Sequence, residues 1–133
     1  MTMTQVPGTY VGQLSRPENL AMLKAYAQSK DKSPVLLVQY YRDIVNALKG
    51  TPAWDKPKTN QMINELTYSV RATIAGEKKG RTSAGAHARR MLNKIEYCSK
   101  MPARGNAWKV CPLEPILTDE EIEAYLRQAA LAA

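Results

Sequence analysis

The run Gly76-Glu77-Lys78-Lys79-Gly80-Arg81-Thr82 carries the residue types of a phosphate contact. Glycines let backbone N–H groups approach an anion, cations neutralise it, and a hydroxyl stands where a helix begins. It is not the nucleotide-hydrolase loop G-x-x-x-x-G-K-[ST]. It is one residue short, has Arg81 where lysine is required, and follows a helical pattern instead of a strand. Phosphate binding by Lys78, Lys79, Arg81 and Thr82, without phosphoryl transfer, is one reading; a solvated turn between two helices is the other.

Beyond this turn, His87, Arg90, Lys94 and Tyr97 recur at i, i+3, i+7 and i+10, with Arg89 alongside. Helical spacing puts them on one stripe, away from Met91, Leu92 and Ile95, so the stripe is expected to face outward. Arginine and lysine there would neutralise phosphates, and the tyrosine would hydrogen-bond or stack on a sugar-phosphate backbone. Lys100, Arg104 and Lys109 carry the basic character onward around Trp108. Trp108 either stacks on unpaired bases or plugs the core beneath a loop, and Trp54, beside Lys56 and Lys58, poses the same choice.

The charge distribution favours the binding reading. The chain has 133 residues and a net charge of +7. Residues 76–111 hold nine Lys/Arg against two Asp/Glu, whereas residues 112–133 hold one against five. Positive charge concentrated in this way is the footprint of a polyanion partner, nucleic acid above all, with duplex DNA held by its backbone.

Catalysis is not expected. His87 is the sole histidine, and no motif supplies it with a nucleophile and an orienting carboxylate. With only Cys98 and Cys111 besides, no structural zinc set forms, and no cofactor or metal is expected. Two separate thiols fit better than a Cys98–Cys111 disulfide. Asp119, Glu120, Glu121 and Glu123 fall in the first turn and a half of a helix, where the macrodipole favours negative charge, so capping explains them. No run reaches the roughly 18 apolar residues of a membrane span, and the N-terminus lacks the basic and apolar regions of a signal peptide. A virion or a host cytoplasm is the expected location.

The elements that position these residues read as all-α: a small bundle of four to five helices in one domain, residues 16–133, behind an extended N-terminal arm, residues 1–15. The arm is uncharged and carries Pro7, Gly8 and Gly12. It is expected to lie extended, but Val6, Tyr10, Val11 and Leu14 make it too apolar for a solvated tail, so it should rest against its own core, a neighbouring subunit or a partner. Deleting residues 1–14 is expected to leave helical content and thermal stability nearly unchanged and to impair self-association on nucleic acid. Ser15-Arg-Pro-Glu18 matches a capping box for a helix reaching about Gln28. Ser33-Pro34 opens a second helix, with Leu37, Tyr40, Tyr41, Ile44 and Leu48 inward, and Gly50 closes it. A third, from about Thr59 to Ala75, turns Met62, Ile63, Leu66, Val70 and Ile74 inward. A fourth runs to about Lys100 on Ala84, Ala88, Met91, Leu92, Ile95 and Cys98. Thr118-Asp-Glu-Glu121 is a capping box for the last, with Leu117 and Ile122 placed as a hydrophobic staple.

The uncharged residues 1–14, the helical body from Ser33 onward and the cationic residues 78–104 together resemble the DNA-wrapping major capsid proteins of filamentous archaeal viruses. That resemblance implies a short basic helical protein whose N-terminal arm precedes a bundle and whose dimers wrap viral DNA. The expected function is thus a non-enzymatic structural protein that coats or packages DNA, associating with itself or with a paralogous subunit. The alternative is a small virus-type regulator or inhibitor that binds a host protein complex through its basic surface. Sequence reading by a helix-turn-helix is disfavoured, because the turn before the fourth helix is long and that helix offers mainly cations.

Overall fold

The computed structural model describes residues 10–77, 83–100 and 111–132. Among these, six helices and no strands are found: α1 Tyr10–Leu14, α2 Pro17–Gln28, α3 Pro34–Leu48, α4 Pro57–Ile74, α5 Ala84–Lys100 and α6 Asp119–Ala132. Prolines at the first position open α2, α3 and α4, where a missing N–H costs nothing and a fixed φ is already helical. Ser33 Oγ accepts from the Val35 N–H at 3.2 Å to cap α3. Beyond its other end Gly50 adopts φ +83°, a left-handed conformation that strains a residue with a Cβ.

α3 is the central element, touching α1, α4, α5 and α6. Its fully buried Leu37, Val38, Tyr40, Tyr41, Ile44 and Leu48 meet Ile63, Leu66 and Val70 of α4, Ala84, Ala88, Met91 and Ile95 of α5, and Ile122 of α6 in one core. α2 lies mainly along α5, and this is the most extensive contact between any two helices.

Residues 10–14 depart from the expected arm. They form a helix, with Tyr10, Val11 and Leu14 buried in the common core against α3 and α5. Gly12 tolerates the helix, and the short apolar period Tyr10, Val11, Leu14 repays its ordering through burial. Residues 1–9 of the expected arm lie outside the described residues. The capping box expected at Ser15 is also absent. Ser15 Oγ donates back to the Gly12 carbonyl at 2.8 Å, and Arg16, with no side-chain cap, precedes α2. With a helix ending at Leu14, the serine is used at a C-terminus before it can serve an N-terminus.

The box at α6 forms as expected. Glu121 N–H donates to Thr118 Oγ1 and Thr118 N–H donates to Glu121 Oε1, both at 3.1 Å, and Leu117 and Ile122 are buried as its staple. These bonds, the backbone N–H of Thr118 foremost, hold the Glu121 carboxyl below its ordinary pKa. Residues 111–117 reach α6 along α4 and are held by two asparagines. Asn60 Nδ2 donates to the Cys111 carbonyl at 2.7 Å, and Asn64 bonds both the Pro112 carbonyl and the Glu114 N–H.

Candidate nucleic-acid interface on the cationic helix

α5 alternates small and charged residues, and the two sets have different tasks. Gly85 is where the end of α2 comes closest to α5, and Ala84 and Ala88 beside it are buried in the core. Met91 and Ile95 continue the buried face. The exposed cations Arg89, Arg90 and Lys94 stand among the other positions, and their side chains are not equivalent.

Arg90 and Lys94 are exposed one turn apart, and Tyr97, 62% exposed, extends the same line. Lys94 Nζ sits 5.4 Å from the centre of the Tyr10 ring, a cation–π contact that lays its stem over α1 and leaves its charge at the surface. Arg89 is also exposed, but its guanidinium donates to the Ala27 carbonyl at 2.9 Å, one residue inside the C-terminus of α2. There it satisfies an end carbonyl and offsets the negative end of that helix. Arg89 is consequently committed to fold as much as to any ligand.

His87 does not share the outward stripe. It is mostly buried, and its Nδ1 lies 2.5 Å from the hydroxyl of Tyr40, which is fully buried on α3. Burial raises the pKa of the Tyr40 phenol, so it stays protonated. We therefore assign it as the donor to Nδ1, with the imidazole proton on Nε2. The Tyr26 ring meets Tyr40 edge-on at 5.1 Å, and its hydroxyl donates to Asp43 Oδ2 at 2.6 Å. The sequence reading failed here because His87 and Lys94 lie only about 20° apart on the helix wheel, so the difference between them is one of position along α5 and not of angle. His87, near the start of the helix, meets Tyr40 of α3, while Arg90 and Lys94 further along are exposed. Tyr40 sits at an inward helical position, but its tip needs a polar partner, and that was the available signal.

Burial first, and then the nearby positive charge of Arg90, lowers the His87 pKa to about 4. An unfolded histidine titrates near 6.5. Between these values only the unfolded chain takes up the proton, so this group's contribution is complete above about pH 6.5 and is lost as pH falls towards 4. The full shift would amount to about 3 kcal/mol, and the partial exposure of the ring reduces the expected loss to about 2 kcal/mol. Urea midpoints of the native chain and of His87→Gln, measured from pH 7 to pH 4, test this. The native curve should fall more steeply, and parallel curves would refute the assignment.

Of the remaining residues expected at the interface, Lys78, Lys79, Arg81, Thr82, Arg104 and Lys109, together with the side chain of Lys100, lie outside the described residues. So do Trp108 and the Cys98 side chain. Trp54 packs partly buried against the core, and Cys111 is a free thiol. Arg42 is not available as a general surface cation, because it pairs with Glu123 of α6 at 3.0 Å.

Among the described residues, no three His, Cys, Asp or Glu side chains gather as a metal site, and no helix is long and apolar enough to cross a membrane. Compared with protein-family models, with curated proteins and with solved structures, the chain matches none.

Proposed function

We propose that this chain is a non-enzymatic nucleic-acid-binding structural protein that coats or packages DNA through phosphate contacts. On this reading it is a capsid or nucleoprotein subunit of the kind it resembles, the DNA-wrapping capsid proteins of filamentous archaeal viruses. The observation that carries the proposal is the juxtaposition on α5 of Arg90, Lys94 and Tyr97 in one outward line, within a segment holding nine Lys/Arg against two Asp/Glu. Cations on a rigid helix suit the repeating charge of a duplex backbone, and the line carries no asparagine or glutamine to read adenine. In sequence Lys78, Lys79, Arg81 and Thr82 precede α5 and Lys100, Arg104 and Lys109 come at its end and after it, and the proposal includes them together with Arg89. A coat also needs subunits that meet one another, so self-association or a paralogous partner belongs to the proposal. Residues 10–14, used in the protein's own core, take no part in it.

Titration with duplex DNA at several salt concentrations tests the reading. Engagement of about six phosphates gives a slope of log K against log salt near about −5. Arg81→Ala, Arg90→Ala and Lys94→Ala should each weaken binding and flatten that slope by about one unit. Arg42→Ala and Arg127→Ala should change it far less. No binding at low salt would reject the proposal, and equal losses at all five positions would reject the assignment to α5. A discrete complex with a single protein partner, in place of binding to DNA, would favour the inhibitor reading.

A further inference from the structure

Among the described residues, both ion pairs end on α6. Arg42 of α3 meets Glu123 at 3.0 Å, and Arg71 of α4 meets Glu121 at 3.3 Å. The acidic last helix thus neutralises cations on α3 and α4, and the other side of the bundle keeps its charge. There, Arg16 just before α2 and Lys24 within it are exposed, and neither forms an ion pair among the described residues. With Arg89, Arg90 and Lys94 of α5 they make five exposed cations on one helix pair, against the exposed carboxylates of Glu18 and Glu96.

The register of the two helices brings the α2 cations beside those of α5. A Cβ on Gly85, at the start of α5, would stand 2.8 Å from the Ser29 carbonyl oxygen and 3.2 Å from that of Tyr26, at the end of α2. The helices also share the most extensive contact in the fold, so they run antiparallel. One turn back from the end of α2 therefore matches one turn forward along α5, and Lys24 is level with Arg89. By the same count Arg16 is level with Tyr97. Around α2, Leu23 is fully buried and Tyr26 turns to Tyr40 of α3, about 60° to one side. Lys24 lies about 100° to the other side, at the outer edge of the seam with α5. The Arg89 guanidinium, bonded to the Ala27 carbonyl at 2.9 Å, bridges that seam.

We propose that α2 is the second half of the phosphate-binding surface. The backbone of duplex DNA crosses the α2–α5 pair, and Lys24 and Arg16 bind phosphates beside Arg89, Arg90 and Lys94. This surface presupposes the nucleic-acid reading above and deepens it, adding a helix and two residues that the α5 line does not contain. Because Gly85 lets the helices approach closely, the two rows of cations are held side by side on packed elements, and no loop has to be ordered to present them. Glu18 and Glu96 both fall at the Arg16 end in this register, so Lys24 contributes more than Arg16.

Fluorescence anisotropy of a labelled duplex of mixed sequence, titrated with the full chain at several salt concentrations, tests this. Lys24→Ala should weaken binding about fivefold to tenfold at about 0.1 M salt and flatten the slope of log K against log salt by about one unit. Arg16→Ala should act in the same direction by a smaller factor, and Lys24→Arg should bind like the native chain. Glu18→Gln should bind more tightly, a gain that misfolding cannot produce. Lys49→Ala and Arg127→Ala remove the same charge from elsewhere on the surface and should change Kd by less than about twofold, since salt screens distant charges. All of these positions are exposed, so circular dichroism should show unchanged helicity. If Lys24→Ala and Arg16→Ala match the Lys49 and Arg127 variants while Arg90→Ala weakens binding, α5 binds alone: the proposal falls and the nucleic-acid reading stands. An unchanged salt slope for Lys24→Ala would overturn it too. A native chain that does not bind the duplex at low salt would remove both.

Discussion

A chain lacking residues 1–14 is expected to lose cooperative folding at 37 °C. Leu14 is fully buried, Tyr10 and Val11 nearly so, and all three fill space between α3 and α5. Truncating a buried leucine costs about 2–5 kcal/mol and an aromatic side chain about 3–5 kcal/mol. A domain of this size is stable by only about 5–15 kcal/mol, so removing the whole element consumes most or all of the margin. Deletion also exposes the apolar faces of α3 and α5 and removes the ring over which Lys94 lies. Leu14→Ala gives the graded version: a urea midpoint lowered by the equivalent of about 3 kcal/mol, with the slope unchanged. Near-native helicity and midpoint after deletion would show that α1 contributes nothing to the core.

This expectation is the reverse of the one the sequence invites, and the reason is instructive. Read locally, an uncharged stretch with Pro7, Gly8 and Gly12 has poor helix propensity, and a five-residue helix is too short to stand alone in water. Its stability comes from tertiary burial, which local propensity does not contain. The elements that were legible are those whose signal is periodic or chemical over several residues. α3 shows its apolar face at helical spacing between Ser33-Pro34 and Gly50, and α6 announces itself by the reciprocal bonds of Thr118 and Glu121. Ser15-Arg-Pro-Glu18 carries the same letters as a capping box without forming one, because Ser15 is bonded to Gly12.

Within the candidate site, periodicity located the helix and its buried face but could not rank the cations on its other side. That ranking depends on what lies across from each. α3 brings Tyr40 to His87, the end of α2 brings its Ala27 carbonyl to Arg89, and neither neighbour can be deduced from the spacing of α5 alone.

Gly85→Ala is expected to destabilise the fold by about 2 kcal/mol and Gly85→Val by about 4 kcal/mol, although glycine in the first turns of a helix ordinarily invites improvement. On propensity alone, alanine would gain up to about 1 kcal/mol. Here a Cβ would stand 2.8 Å from the Ser29 carbonyl oxygen and 3.2 Å from both the Tyr26 carbonyl oxygen and Arg89 Nη1. The arginine can swing aside, but the two carbonyls belong to the end of α2 and move only if that helix backs away from α5. Such overpacking costs about 1–3 kcal/mol, and a β-branched side chain adds atoms to the same filled space. Moving α2 outward also stretches the Arg89 bond to Ala27, so Gly85→Ala and Arg89→Ala should be less than additive, because the first already spends part of what the second removes. Urea midpoints of the two single variants and the double variant decide the matter. A raised midpoint for Gly85→Ala would mean that α2 yields without cost, and strict additivity would mean that Gly85 and Arg89 do not act through the same helix end.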